Sequence, residues 1–391
     1  MPLPRTATTF APPVMEARRW LQGATFPPNR PLINVSQAAP VDPPPAALRE
    51  AMAEWVLNDP TVHLYGPVLG LPELREEIAS QWSAGYGGEV RREQVAITSG
   101  CNQAYCAAIA TLCAEGDEVL LPVPWYFNHK MWNDMAGVAT VPLPTGGALV
   151  PDPERAASIV TDRTRAIVLV SPNNPGGAEY PAETLRAFFD LARSRGIALI
   201  VDETYRDFDS REGAPHDLFQ TPDWDRTLIH LYSFSKAYRL TGHRVGAMIS
   251  SPERLAEAEK FLDTVTICPT QLGQRAALWG MRHLGDWVAG ERREILDRRA
   301  ALSEGFPVLD QHDWRLLGCG AYFAWATHPF AERSDELAKR LVAEAGVLLL
   351  PGTMFAPPGD AVGERGLRIA FANVDRSGIG ALLGRLAAVS G

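Results

Sequence analysis

The chain is poor in cysteine, has no long apolar run and has no excess of positive charge, and each shortage removes a class of function. Its five cysteines, Cys101, Cys106, Cys113, Cys268 and Cys319, are odd in number and never spaced as CxxC, so neither a disulfide framework nor a zinc ribbon is expected and no metal site is indicated. No apolar stretch approaches the ~18 residues of a membrane span, and the start MPLPRTATTFAPP lacks the apolar core of a signal peptide. A soluble cytoplasmic protein with no membrane partner is the expectation. Lysine plus arginine total 37 against 46 aspartate plus glutamate, a net charge of -9 that argues against nucleic acid as a partner.

What is present describes a folded chain. Hydrophobic residues make up 46% and charged residues 21%, far from the profile of disorder. At roughly 100 to 200 residues per domain, 391 residues predict two domains. The 32 prolines and 33 glycines are spread along the chain, which predicts many short elements.

Prolines clustered from Pro12 to Pro45 rule out a long helix there, so residues 1–45 read as an extended arm with one short helix near Met15 to Leu21. From Ala46, LREAMAEWV and LPELREEIASQW carry apolar residues three and four apart and predict amphipathic helices. QVAIT, EVLLP, AIVLV, IALIVDE, LIHLY and VGAMIS are short β-rich runs, separated by helical stretches such as NQAYCAAIATLC and AETLRAFFDLARSRG. Near-continuous apolar strands alternating with helices predict an α/β fold with a mainly parallel sheet covered on both faces. Helical sequence runs from Pro252 to about Gly305, and the tail, with AYFAWA, VLLLP and LRIAF, predicts a second, smaller α/β domain. The expected division is a large domain over 46–280 and a small domain over 281–391 that the arm joins. Ligands of such sheets lie beyond the carboxyl ends of the strands.

In HLYSFSKAYRLTGHRVGAM, Lys236 follows a β run and is flanked by Ser233 and Ser235. A lysine beside a sheet end can form a Schiff base if its amine is kept partly neutral, although a lone lysine is more often a solvated surface residue. Ser233-x-x-Lys236 also matches the SxxK signature of penicillin-recognising acyl enzymes, but SDN and KTG are both absent. Eight residues on stands Arg244, and together these side chains offer the hydroxyl and cationic donors that a phosphate needs. The pattern S-F-S-K-x(7)-R-x-G resembles the cofactor-lysine segment of class I and II aminotransferases, the aspartate aminotransferase-like, fold-type I enzymes dependent on pyridoxal 5'-phosphate.

The other motifs of that family occur in order. ITSGCNQAYCAA sets Ser99 and Gly100 between a strand and a helix, so the N–H groups of Gly100, Cys101 and Asn102 can hold a phosphate at a positive helix end. In LPVPWYFNHK, Tyr126 takes the position of the family's ring-stacking aromatic, with Trp125 as its neighbour. SPNNPGG resembles the asparagine-proline-threonine-glycine turn, which implies that the Asn174 amide meets both cofactor and substrate; Gly176 stands where threonine is usual. LIVDETYRDF ends a buried strand with Asp202, and the resemblance implies that Asp202 pairs with a protonated pyridine nitrogen while Tyr205 bonds the phenolic oxygen. HLYGPVLGLPELREEIA implies that Tyr65 reaches the phosphate of a neighbouring subunit in a homodimer with shared active sites. GLRIAFAN matches the segment whose arginine, here Arg368, grips a substrate α-carboxylate.

The resemblance covers nearly the whole chain. It implies a seven-stranded sheet and a two-stage (ping-pong) transfer of an amino group from an L-amino acid to a 2-oxo acid, with Lys236 as both tether and proton carrier. Aligning DTVTICPTQLG without gaps places Asp263 near the position where aspartate-type relatives use an arginine from the neighbouring subunit, which implies a neutral or basic donor rather than a dicarboxylic one. SQAAP has Ala38 and Ala39 where relatives commonly have a glycine. The same residues also serve lyases, racemases and decarboxylases of this fold, and that reading stays beside transamination. A regulatory protein with an aminotransferase-like domain would need a DNA-binding domain, for which the arm is too short and not basic enough.

Overall fold

In the computed structural model, which describes residues 4–390, the chain enters through helix α1 (Pro13–Arg19), strand β1 (Ile33–Asn34), α2 (Ala46–Asn58) and α3 (Pro72–Tyr86). Strands and helices then alternate through β2 (Val95–Thr98), α4 (Cys101–Leu112), β3 (Glu118–Val123), α5 (Phe127–Ala136), β4 (Ala139–Pro144) and α6 (Pro153–Ile159). The series continues with β5 (Thr164–Val170), α7 (Ala182–Arg195), β6 (Ala198–Asp202), β7 (Leu228–Ser233), the single-turn α8 (Phe234–Ala237) and β8 (Gly246–Ile249). Strands β2 to β8 form one seven-stranded sheet in the order β2-β8-β7-β6-β5-β3-β4. Every neighbouring pair from β7 to β4 is parallel, and β8 runs antiparallel to both of its neighbours. This is the expected mainly parallel α/β sheet.

Alternation along the central strands explains why helices cover both faces. Ile167 and Leu169 of β5 and Leu199 and Val201 of β6 pack with Trp82 and Tyr86 of α3 and with Phe188 and Phe189 of α7. The intervening Ala166, Val168, Ala198 and Ile200 pack with Ala104 and Tyr105 of α4 and with Leu255 and Leu262 of the next helix, α9 (Pro252–Thr266). Helices α10 (Gln271–His283) and α11 (Gly285–Gly305) follow. Among the described residues no helix is long and apolar enough to cross a membrane.

Beyond α11, strands β9 (Arg315–Gly320), β10 (Phe323–Thr327), β11 (Val347–Leu348), β12 (Leu350–Pro351) and β13 (Gly366–Ile369) appear. Four of them make an antiparallel sheet in the order β12-β13-β10-β9, while β11 pairs in parallel with β1, Ile33 opposite Val347. The Val35 N–H bonds the Leu348 carbonyl at 2.8 Å and the Ala370 N–H bonds the Val35 carbonyl at 2.9 Å, which ties the arm to the C-terminal segment.

Strands β1 and β9 lie outside the β-rich runs read in the sequence, and two further elements differ from that pattern. Strand β4 carries Pro142 and Pro144 and gave no β signal; it is an edge strand, where a missing N–H is tolerated. The run VLLLP is split between β11 and β12, which belong to different sheets.

Strand β8 touches the first turn of α4. A Cβ at Gly246 would meet the backbone of Gly100 and Cys101 on one side and the Tyr232 carbonyl on the other. Gly246→Ala is expected to lower stability by about 1–3 kcal/mol, since the overpacked groups are main chain and cannot rotate away. The measurement is the midpoint of urea unfolding; an unchanged midpoint contradicts the close approach.

Candidate active site

Residues that follow β2, β3, β5, β6 and β7 meet at the carboxyl end of the sheet in one cavity of about 450 Å³. Arg368 of β13 joins them, and α1 with the segment Gln37–Ala39 closes the other side. Four cations line the wall, Arg18, Lys236, Arg244 and Arg368, against one carboxylate, Asp202.

Asp202 is the last residue of β6 and is buried. Its Oδ1 accepts the Thr204 N–H at 2.9 Å, and His129 Nε2 lies 3.5 Å from its Oδ2. Burial by itself would raise the carboxyl pKa, but the His129 imidazole and the Thr204 donors outweigh it and hold Asp202 below the ordinary aspartate value. His129 is fixed in turn by stacking on Tyr105, with ring centres 3.9 Å apart, and by the edge of Tyr126 at 5.0 Å.

Lys236 is in α8, directly after β7. Its amine donates to the Ala38 carbonyl at 2.7 Å and lies 6.0 Å from the centre of the Tyr205 ring. Burial, then the nearby charges of Arg244 and Arg368, push its pKa from 10.5 down to about 8. A useful fraction of neutral amine is thus available near neutrality. Tyr205 is buried, and burial raises its phenol pKa well above the ordinary value.

Arg368 is almost fully buried. It donates to Asn174 Oδ1 at 3.1 Å and to the Ser36 carbonyl, while its Nε has no partner among the described residues. Burial lowers its pKa to about 10, so it remains a cation with a donor to spare. Asn174, at the turn after β5, is buried.

A second polar corner forms at the start of α4. Gly100 has φ +84°, and a Cβ there would run into the Arg244 guanidinium. Only glycine allows both that backbone and that contact. Arg244 donates to Ser235 Oγ at 3.4 Å and to the Thr241 carbonyl at 3.1 Å, and Ser233 Oγ accepts the Ser235 N–H at 3.3 Å. Helix α4 has no side-chain cap, so the Cys101 and Asn102 N–H groups stand at its positive end beside Arg244. The Tyr126 hydroxyl lies between Asn102 Oδ1 at 3.3 Å and Asn128 Nδ2 at 2.8 Å, and burial raises its pKa to about 12.

The cavity wall therefore contains Cys101, Asn102, Tyr126, Asn174, Asp202, Tyr205, Ser233, Ser235, Lys236, Arg244 and Arg368 of the residues expected from sequence. Ser99 and Gly100 shape it from behind, the Ser99 N–H bonding Gln103 Oε1 at 2.6 Å. Two expected residues are elsewhere. Tyr65 is 80% exposed in a separate surface depression with Cys268 and Gln271, and Asp263 is exposed on α9, its carbonyl accepting the Ile267 N–H. Gly176, the departure from threonine, has a local reason: a Cβ there would come within 2.7 Å of Leu149 Cδ1 and 2.9 Å of Asn173 Oδ1.

Sequence reasoning missed His129, Thr204, Thr241 and the arm residues Arg18 and Gln37. His129 had a usable signal, since it lies three residues after Tyr126 at the start of α5 and so on the same side of that helix. A stronger signal was lysine scarcity. The chain has four lysines, and Lys130 and Lys260 pair with Asp134 and Glu257 while Lys339 lies over Trp20 at the surface.

A family model described as aminotransferase class I and II matches residues 30–386. The aromatic aminotransferase ISS1 of Arabidopsis thaliana is 29% identical over 98% of this chain and 94% of its own length. A probable aspartate/prephenate aminotransferase of Thermus aquaticus is 33% identical over 78% of this chain and 82% of its own length. Among solved structures, the aspartate aminotransferase from Thermus thermophilus with maleate superimposes with a TM-score of 0.87, covering 99% of each chain at 27% identity.

The lowered pKa of Lys236 gives a direct expectation. With Lys236→Ala as the blank, the rate at which Lys236 captures a small aldehyde should rise through a midpoint near pH 8. Arg244→Gln should move that midpoint upward, because removing a neighbouring cation makes the ammonium easier to keep. A midpoint at the ordinary lysine value would contradict the burial.

Proposed function

Because the chain belongs to the class I and II aminotransferase family, we propose that this cavity exchanges the amino group of an L-amino acid for the oxo group of a 2-oxo acid with the help of pyridoxal 5'-phosphate. Members of that family use this cofactor. The residues present fit its three ends. The capless start of α4, the Ser233 and Ser235 hydroxyls and Arg244 suit the phosphate. Asp202 suits a protonated ring nitrogen, and the Lys236 amine suits the aldehyde. The observation that carries the reading is Asp202, a buried carboxylate kept ionised in a wall where every other charge is positive.

Bound there, pyridoxal 5'-phosphate supplies a ring that accepts the electron pair released at the substrate's α-carbon. The protein does the rest. Asp202 keeps a positive charge in place opposite it, with His129 and Thr204 holding the carboxylate's orientation. Arg368 binds the substrate α-carboxylate through its free donor and is itself aimed by Asn174 and the Ser36 carbonyl. Lys236, neutral in part near pH 8, would take the α-proton and pass it on to the cofactor's C4' carbon within the same half of the exchange, and carry it the opposite way in the second half. Tyr205 and Asn174 offer hydrogen bonds at the cavity wall beside it.

Tyr65 serves the neighbouring copy in a homodimer with shared sites. In support, Tyr65 is far more exposed than a tyrosine usually is, and the exposed Leu64 beside it lines the same surface depression. A cytoplasmic location, with all five cysteines free, belongs to the same proposal.

The test is spectroscopic and kinetic. Adding pyridoxal 5'-phosphate should give the wild type visible absorbance and conversion of a 2-oxo acid into its amino acid. Lys236→Ala should lose the tethered spectrum and at least about 100-fold of the rate. A protein that binds the cofactor but releases ammonia without needing an oxo acid acceptor would refute transamination.

A further inference from the structure

Three successive residues of the arm each hold one cation of the cavity. The Ser36 carbonyl accepts from Arg368, the Gln37 side-chain oxygen accepts from Arg18 Nη2 at 2.7 Å, and the Ala38 carbonyl accepts from Lys236 at 2.7 Å. An extended chain advances ~3.3 Å per residue, so Arg18 is anchored within one side chain's reach of the α-carboxylate reader and the reactive amine. Ser36 and Ala38 are buried while Gln37 and Arg18 are exposed, which puts Arg18 at the mouth and the other two cations at the floor.

Arg18 is the cation for which the reaction so far has no use. Arg244 faces the phosphate corner, Lys236 the aldehyde and Arg368 the α-carboxylate. No carboxylate neutralises Arg18 among the described residues: Glu16 of the same helix is taken by Arg19 at 2.9 Å and by the Trp20 indole at 3.3 Å. Its partner Gln37 is neutral. The position is also firm, because neighbouring Ala17 is fully buried and packs with Trp325, Leu348 and Leu350. A fixed, unneutralised guanidinium at the mouth of a cavity whose floor grips one carboxylate is suited to a second carboxylate on the same molecule.

Resting on the aminotransferase reading, we propose that Arg18 reads a carboxylate at the far end of the substrate side chain, so that the site takes dicarboxylic amino acids and oxo acids. This is a different reading from the neutral or basic donor expected from Asp263, whose role was tied to the cavity of the neighbouring subunit and which is exposed on α9. Gln37 is a positioning residue that keeps the guanidinium at the mouth in the absence of substrate.

Binding of inert acids tests this without turnover. By calorimetry on the cofactor-loaded protein, glutarate should bind about tenfold or more tightly than butyrate. Arg18→Gln should abolish that preference and Arg18→Lys should keep part of it. In turnover, Arg18→Gln should raise KM for 2-oxoglutarate about tenfold with little change in kcat, the pattern of lost uniform binding. A wild type with no preference for glutarate, or a preference that survives in Arg18→Gln, overturns the assignment. A protein that prefers glutarate through Arg18 yet moves no amino group upholds the role of Arg18 and refutes the aminotransferase reading instead.

Discussion

Asp202 is a buried carboxylate held ionised in the cavity wall, and most of the site is arranged around keeping it so. Moving such a group out of water costs several kcal/mol unless partners compensate. The compensation here is local and layered: the Thr204 N–H and the His129 imidazole on the carboxylate, then Tyr105 and Tyr126 on the imidazole. That layering needs the end of β6 to lie between the segment after β3, where Tyr126 ends the turn and His129 is in the first turn of α5, and the end of β7, which leads to Lys236. The parallel strand order supplies both neighbours, since β6 has β5 and then β3 on one side and β7 on the other. The sheet is thus the device that brings a carboxylate, an imidazole and an amine to one edge.

The positive charges follow a complementary logic. Lys236, Arg244 and Arg368 repel one another, and with burial this lowers the lysine pKa to about 8. Acceptors drawn from the arm hold two of these cations and a third at the mouth: the Ser36 carbonyl takes Arg368, the Ala38 carbonyl Lys236 and the Gln37 side-chain amide Arg18. Those acceptors are in place because β1 is locked to β11 and Val35 is bonded to Leu348 and Ala370. The small sheet therefore acts on the chemistry from a distance: it fixes the acceptor row that spaces three cations.

Legibility in the sequence followed the range of the contacts. Lys236, Arg244, Asp202, Tyr205, Asn174 and Arg368 stand in short motifs at strand ends, and all of them reach the cavity. Six strands of the large sheet announce themselves as apolar runs, whereas β4 is hidden by Pro142 and Pro144 and depends on its edge position. VLLLP looks like one strand because its apolar pattern is unbroken, and only tertiary pairing shows that its halves belong to different sheets. His129 and Arg18 carry no motif; their meaning comes from Asp202 and Gln37, which are distant or separated by a turn of proline-rich chain. Side chains whose partners are non-local are the ones that a linear reading loses.

The protonation state of Asp202 tests the account most directly. Infrared difference spectra between wild type and Asp202→Asn, recorded from about pH 7 down to about pH 5, isolate the stretch of this one carboxyl group. The structure predicts an ionised carboxylate throughout, because His129 and Thr204 hold its pKa below the ordinary value in spite of burial. A protonated carboxyl band at pH 5 would contradict it, and with it the claim that this wall is built to keep one negative charge among four positive ones.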